Sequence, residues 1–324
     1  MKVSVAFCTY NGEHFLKEQL DSILNQTVAV DEIIICDDKS TDSTVSILNE
    51  YKEKFPSVIS IYENENTLRS VKNFEKAISL CTGDIIFLSD QDDIWVNNKV
   101  EKYCTYFNEN PSIEVLASNG YCIDEKSVVR EKYSLWDIPE FLREQNIKID
   151  YFKTITHFSN IATGASMAFR RSILYQTLPF PIVEDLHHDE WIAIIASSKN
   201  TFEMLNEKYF YYRIHEKQQI GGVFFDKTEK QKQFLIKHFN ISIKKKSFYI
   251  LKRKIKKLIY AYKKTKKIIN LQSKHNLLFE KNIADIKTAY DETIDEIKKK
   301  FPIRFAALTI TDKILKKRQF KTDK

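Results

Sequence analysis

Residues 85–95 read Ile-Ile-Phe-Leu-Ser-Asp-Gln-Asp-Asp-Ile-Trp: an apolar run with the character of a buried strand that stops at three carboxylates, Asp90, Asp92 and Asp93. Like charges crowded at a strand end disfavour one another's ionised form unless a cation offsets them. Hard oxygen ligands at this spacing suit Mg²⁺ or Mn²⁺, which in turn suits a bound diphosphate. An isolated Asp-x-Asp is common, and such a loop can equally cap the next helix, with Asp92 or Asp93 near its N-cap. The position favours chemistry, because parallel α/β sheets bind ligands beyond the carboxyl ends of their strands.

Two more polar clusters follow apolar runs. Thr9-Tyr10-Asn11-Gly12-Glu13 comes after residues 3–7 and Asp37-Asp38-Lys39-Ser40 after residues 32–36. In the first, a flat aromatic and short hydrogen-bonding side chains could hold a nucleobase; otherwise it is a Gly-containing turn with Glu13 in a first helical turn. In the second, an Asp could accept from a base N–H or a ribose hydroxyl; otherwise it forms an Asx-type turn.

The elements that must position these clusters alternate in the first hundred residues. Strand signals at 3–7, 32–36, 58–62 and 85–88 are separated by helical spacing at 13–25, from about 41 to 54, and at 71–81, the last ending near Gly83. Apolar strands separated by helices imply an α/β fold with a mostly parallel sheet and helices on both faces. From 111 to 205 the pattern is looser, with strand character at 115–123 and 161–170 and helical character at 171–176 and 190–198. Beyond residue 226 the chain is Lys-rich, with Phe234, Ile236, Phe239, Phe248, Leu251, Ile255, Leu258 and Ile259 at roughly helical spacing and Pro302 interrupting it.

The 324 residues are 43% hydrophobic and 29% charged, ordinary for a soluble chain long enough to hold more than one unit. The net charge of +7 hides an asymmetry: residues 1–224 carry 22 Lys and Arg against 34 Asp and Glu, and residues 225–324 carry 29 against 10. An acidic front and a basic back suggest separate tasks. The five cysteines, Cys8, Cys36, Cys81, Cys104 and Cys122, include no Cys-x-x-Cys pair, which favours reduced thiols. With a strand at the start in place of a signal peptide, and no apolar run of membrane-spanning length, a cytoplasmic protein is expected.

Taken together, Thr9-Tyr10-Asn11-Gly12-Glu13, Asp37-Asp38-Lys39-Ser40, Asn73-Phe74, Gly83-Asp84 and Ser89-Asp90-Gln91-Asp92-Asp93-Ile94-Trp95 resemble, in order and spacing, the family 2 glycosyltransferases, over roughly residues 2–222. The Asp-Gln-Asp-Asp-Ile-Trp version is similar to the branch with many rhamnosyltransferases of bacterial surface polysaccharides. The resemblance implies a GT-A fold over residues 1–225, a basic helical region over 226–324, and inverting, metal-dependent transfer from a UDP- or dTDP-sugar to a glycan or lipid-linked acceptor. It implies that Thr9, Tyr10, Asn11 and Glu13 line the nucleotide site, that Asp38 contacts the base and Asp90 the ribose side. Asp92 would bind Mn²⁺ or Mg²⁺, with Asp93 near the acceptor or the metal waters.

His187-His188-Asp189-Glu190-Trp191 resembles the family's catalytic-carboxylate segment. Asp189 would take the acceptor proton, Glu190 would be the rival base, and Trp191 would lie beside the substrate; the competing reading is a helix start with acids on its dipole. Tyr212-Arg213-Ile214-His215 is similar to the family's Tyr-Arg-x-His segment, so Arg213 would grip the diphosphate and His215 would add a metal ligand or phosphate donor. Gln218-Gln219-Ile220-Gly221 departs mildly from the Asn and Gly usual after it. Gly164, in Thr163-Gly164-Ala165-Ser166, would pass near the donor sugar. Arg69 stands near where the family usually has Gly, and Arg69 or Lys72 could itself bind phosphate.

The tail carries Lys244-Lys245-Lys246, Lys252-Arg253-Lys254, Lys256-Lys257, Lys263-Lys264 and Lys266-Lys267. It reads either as an amphipathic surface for an anionic membrane, useful for a lipid-linked acceptor, or as a solvated face packed on the enzyme or on a second copy in a homo-oligomer. A nucleic-acid partner is not expected, given the acidic front half and no recognised binding module. Two other functions compete: a sugar-phosphate nucleotidyltransferase, which should have a Gly-rich basic loop where residues 8–13 stand, and a non-catalytic scaffold on the same fold.

Overall fold

The computed structural model describes residues 1–216, 223–240, 247–271 and 274–315. Its strands are β1 (Val3–Thr9), β2 (Glu32–Asp37), β3 (Ile59–Glu63), β4 (Ile85–Ser89), β5 (Ile94–Trp95), β6 (Val115–Ile123), β7 (Val129–Arg130), β8 (Lys132–Ser134), β9 (Ala168–Arg170), β10 (Phe202–Arg213) and β11 (Phe224–Asp226). The main sheet runs β3-β2-β1-β4-β9-β6-β10-β5, with β7 on β6, while β8 and β11 form a separate ribbon. The first four strands are parallel, β9 is antiparallel to both its neighbours, β10 is parallel to β6 and antiparallel to β5. The expected α/β sheet is thus present, with its first four strands parallel and its second half mixed.

Register aligns the polar clusters. Thr9 stands opposite Asp37, and Phe7 opposite Ser89, so β1, β2 and β4 end along one edge. β1 and β4 are buried at every residue, as strands covered on both faces must be. The covering helices bury one stripe each: Leu16, Leu20 and Ile23 in Leu16–Leu24; Ile47, Leu48 and Tyr51 in Thr44–Lys54; Phe74, Ala77 and Ile78 in Arg69–Leu80. A Cβ on Gly83 would lie 2.5 Å from Ser4 Oγ and 2.9 Å from the Lys2 carbonyl, so only glycine lets the chain enter β4 here.

The strand expected over 161–170 is cut to its last three residues. Gly164–Ser166 is instead a 3₁₀ turn, and its neighbour Met167 accepts from Leu88 N–H at 3.1 Å, which brings the turn to the end of β4.

Residues after 226 form helices Glu229–Phe239, Phe248–Leu271, Asn276–Lys300 and Pro302–Leu315. Pro302 starts the last helix, where its missing N–H costs nothing. The segments 218–221 and 244–246 lie outside the described residues. All five cysteines are free, four of them buried. Among the described residues, no helix is long and apolar enough to cross a membrane.

Candidate active site

Three loops meet at the shared sheet edge, and Gln91 ties two of them. Its side chain accepts from Tyr10 N–H at 2.8 Å and donates to Tyr10 C=O at 2.9 Å. A Cβ on Gly12 would stand 2.2 Å from Gln91 Oε1, so glycine makes room for this clamp. The Tyr10 ring remains 47% exposed over the site. Asn11 adopts φ 49°, takes Ser40 Oγ as acceptor for its N–H and accepts from Thr41 N–H. Glu13 accepts from Ser43 N–H at 2.9 Å, which holds its carboxyl below the usual range and pins the start of the next helix.

Thr9 is buried and donates to Asp37 Oδ1 at 2.7 Å. Asp38, expected at the nucleobase, has its carboxylate taken up locally: it accepts from Asn64 Nδ2, Leu68 N–H and Arg69 N–H at 2.9, 2.6 and 2.8 Å. Arg69 has φ 63°, a left-handed conformation that glycine would adopt without strain, and its N–H points at Asp38.

Asp90, Asp92 and Asp93 follow β4 as a dense acidic loop. Burial, then the neighbouring Asp92 and Asp189, pushes Asp90 well above the usual carboxylate range. Burial, then Asp92 and Asp90, push Asp93 up as well. Asp93 Oδ1 accepts from Arg213 N–H at 3.1 Å, while its buried Oδ2 has no partner among the described residues. Asp92 Oδ2 lies 2.9 Å from His215 Nε2. β10 and β5 pair at Tyr211 and Ile94, so Arg213 and His215 arrive beside the acidic loop although more than a hundred residues separate them in sequence.

Arg213 is fully enclosed over the Phe15 ring, at 4.4 Å from its centroid. It donates to Asp92 C=O at 2.8 Å, Ser127 Oγ at 2.9 Å and Glu18 Oε2 at 2.7 Å. With its donors so engaged, the guanidinium braces the acidic loop, and the diphosphate grip expected of it is not on offer in this arrangement.

The downstream carboxylate reaches the same place through the 3₁₀ turn. Asp189 Oδ2 accepts from Gly164 N–H at 2.8 Å and Oδ1 from Glu190 N–H at 2.6 Å. Burial pushes Asp189 up to about 6 against these hydrogen bonds, which favour the charged form. A Cβ on Gly164 would meet His188 Nε2 at 3.2 Å and Asp90 Oδ2 at 3.7 Å, so this glycine sits between the two acids' loops. His188 stacks on Phe74 with centroids 3.9 Å apart, and burial pushes it down to about 3; it is a neutral imidazole with neither ring nitrogen partnered among the described residues. Glu190 is ion-paired with Lys264 at 2.6 Å. Trp191, expected beside the substrate, is fully enclosed, donates to Thr177 C=O and stacks on Phe279.

A divalent cation fits this donor set. Among the described residues no three His, Cys, Asp or Glu side chains form a cage. Mg²⁺-type sites that also bind substrate phosphates need only one or two protein ligands, and Asp92 with His215 supplies a carboxylate oxygen and an imidazole nitrogen.

The family model described as glycosyl transferase family 2 matches residues 4–178. The chain is a family 2 glycosyltransferase. This glycosyltransferase is 30% identical over 236 residues to an uncharacterized glycosyltransferase of Methanocaldococcus jannaschii, covering 72% of this chain and 76% of that one. It is 30% identical over 227 residues to the dTDP-rhamnosyl transferase RfbG of Shigella flexneri, with coverages of 66% and 73%. In fold, it matches S. aureus TarS in complex with UDP-GlcNAc with a TM-score of 0.53 at 18% identity, over 92% of this chain and 91% of that one. It also matches the mannosyltransferase PcManGT from Pyrobaculum calidifontis, in complex with GDP-Man and Mn²⁺, with a TM-score of 0.53 at 16% identity, over 97% and 80%. These likenesses establish a GT-A-like fold.

Sequence reasoning gave no individual role to Gln91 and Lys264, which it met only within longer motifs, and missed Glu18, Asn64 and above all Lys99, on all of which the glycosyltransferase's site rests. Lys99 is fully buried, donates to Ala165 C=O at 2.8 Å, and lies 4.2 Å from the Trp95 ring centroid. Burial pushes it down to about 7, while Asp93 and Asp90 favour its charged form. Its signal was a cation on the buried stripe Lys99, Tyr103 and Phe107. Replacing Lys99 by Met should cost no more than about 1 kcal/mol of stability at neutral pH, the hydrogen bond to Ala165 C=O, because burial already disfavours the ammonium more than Asp93 and Asp90 favour it. Urea unfolding of both proteins measures this; a loss of about 3 kcal/mol or more would show that the acidic loop depends on Lys99 as a paired cation.

Proposed function

We propose that this chain transfers a sugar, with inversion, from a UDP- or dTDP-sugar to a hydroxyl of a glycan or lipid-linked acceptor in surface polysaccharide synthesis. The observation that carries the reading is Asp189, held by Gly164 N–H at the mouth of the acidic loop that also presents the Asp92–His215 pair. Inversion needs one base on the acceptor side and charge neutralisation on the leaving group. Asp189 takes the acceptor proton; Glu190, paired with Lys264, is the poorer base. Thr9, Tyr10, Asn11 and Glu13 frame the nucleotide pocket, with the exposed Tyr10 ring offered to the base. Asp38 shapes the pocket wall by holding the 64–69 turn. Asp90 faces the donor beside Gly164 and Asp93 backs the loop, braced by Arg213. Mn²⁺ or Mg²⁺ held by Asp92 and His215 would neutralise charge on the leaving diphosphate.

The donor assignment is supported by relatives named for dTDP-rhamnosyl transfer and, in Escherichia coli, for transfer from UDP-Glc to a diphosphoundecaprenol-linked GlcNAc. The last helix leaves Ile303 and Ile310 exposed, and the C-terminal region is Lys-rich, a combination suited to anionic lipid and to a cytoplasmic, peripheral location. The reading is tested by release of nucleoside diphosphate from UDP-glucose, UDP-GlcNAc, dTDP-rhamnose and GDP-mannose with Mn²⁺; no turnover of any of them counts against it.

A pH dependence follows. A base at about 6 is protonated and idle below that value, so turnover should climb as pH rises through about 6 and level off above. A kcat profile between pH 4.5 and 8.5 shows this acidic limb; a flat profile would remove Asp189 from the base role.

A further inference from the structure

The C-terminal helices are built into the catalytic half. Ile268 and Phe279 belong to the same apolar cluster as the main sheet. Phe279 stacks on Trp191 with centroids 5.6 Å apart and planes 17° apart, and His275 packs edge-on against the same ring. His157 Nε2 meets the buried Asn282 Oδ1 at 3.1 Å. The two contacts on Trp191 grip the helix His188–Ser198 on its first turn, beside Asp189.

The same hairpin supplies a charge there. Lys264 Nζ donates to Glu190 Oε2 at 2.6 Å, with the two side chains 13% and 10% exposed. Adjacent buried carboxylates would otherwise compete for one proton. Asp189, His187, Lys257 and Tyr260 are the other charged or titratable groups that interact with Glu190 among the described residues, and neither His187 nor Lys257 is within ion-pair distance of it.

We propose that Lys264 is a positioning residue of the active site: by locking Glu190 in an ion pair, it anchors the helix turn that carries Asp189 and leaves Asp189 as the one carboxylate of that turn free to take the acceptor proton. This rests on the transferase reading above, with Asp189 as base. It makes the C-terminal region a working part of the catalytic centre, whatever else its basic face does.

The test uses the 324-residue chain with Mn²⁺, the four nucleotide sugars named above, and water or an octyl glycoside as acceptor. Lys264→Met should lower kcat about tenfold to a hundredfold with the donor KM within about threefold, because binding is untouched while the base is misplaced and challenged. Lys264→Arg should restore most of the rate. Glu190→Gln combined with Lys264→Met should recover about tenfold over Lys264→Met alone, since a neutral amide needs no counter-charge; this non-additivity separates pairing from mere packing. Wild-type kcat in Lys264→Met, or losses that multiply in the double variant, would overturn the proposal. Should Lys264→Met fail to fold, Lys264→Gln with and without Glu190→Gln gives the same comparison. Wild-type protein that turns over none of the donors fails the transferase reading itself, whereas an active wild type with an unaffected Lys264→Met fails Lys264 alone.

Discussion

Asp189→Asn should abolish sugar transfer, by a factor of about 10² to 10⁴, while nucleotide binding survives. An amide of the same shape cannot accept the acceptor proton. The fold should tolerate it. Raising a buried carboxyl from 3.8 to about 6 costs about 3 kcal/mol of stability at neutral pH, and the neutral side chain removes that cost. Against this, Asn gives up one of the two backbone donors, Gly164 N–H or Glu190 N–H, at about 1 kcal/mol. The variant should therefore melt no lower than wild type while releasing almost no product in a donor-saturated assay. Normal turnover would move the base to Glu190 and place the Lys264 pair in the way of catalysis instead of in its service.

Asp92→Ala should remove metal-dependent nucleotide binding. In the wild type, a nucleoside diphosphate with Mn²⁺ at a hundredfold excess over its Kd should stabilise the fold by about 2.7 kcal/mol, and a chelator should cancel most of the gain. In Asp92→Ala the gain should vanish with or without Mn²⁺. The loop itself should persist, because Arg213 Nε holds Asp92 through its backbone carbonyl, which alanine keeps. Thermal shifts with UDP, dTDP and GDP measure this and rank the donor bases. A full Mn²⁺-dependent shift in Asp92→Ala would take the cation away from Asp92 and His215.

The first hundred residues were legible because their order is local. Alternating apolar runs and helical stripes are written within ten or so residues, and the strand-end rule then places Thr9, Asp37 and Asp90 on one edge, as the register of β1, β2 and β4 does. The absence of glycine at Arg69 was legible as an oddity; its meaning needed the backbone, where φ 63° points the N–H at Asp38. The turn at Gly164–Ser166 was misread as strand because Ala162, Ala165 and Met167 are buried by neighbours far away in sequence, and burial without period does not distinguish strand from turn.

By itself, then, the sequence determined the alternating α/β beginning, the acidic strand end, the family, and which side chains are chemically able to bind a cation or take a proton. Tertiary structure alone decided which of them do structural work. It turned Arg213 inward onto Glu18, tucked Lys99 beneath the acidic loop, buried Trp191 against Phe279 and brought Lys264 to Glu190. The physical reason is common to all four. A buried charge or ring needs a partner, and where the partners lie some 66 to 195 residues away the pairing is a property of the folded topology that no local pattern records.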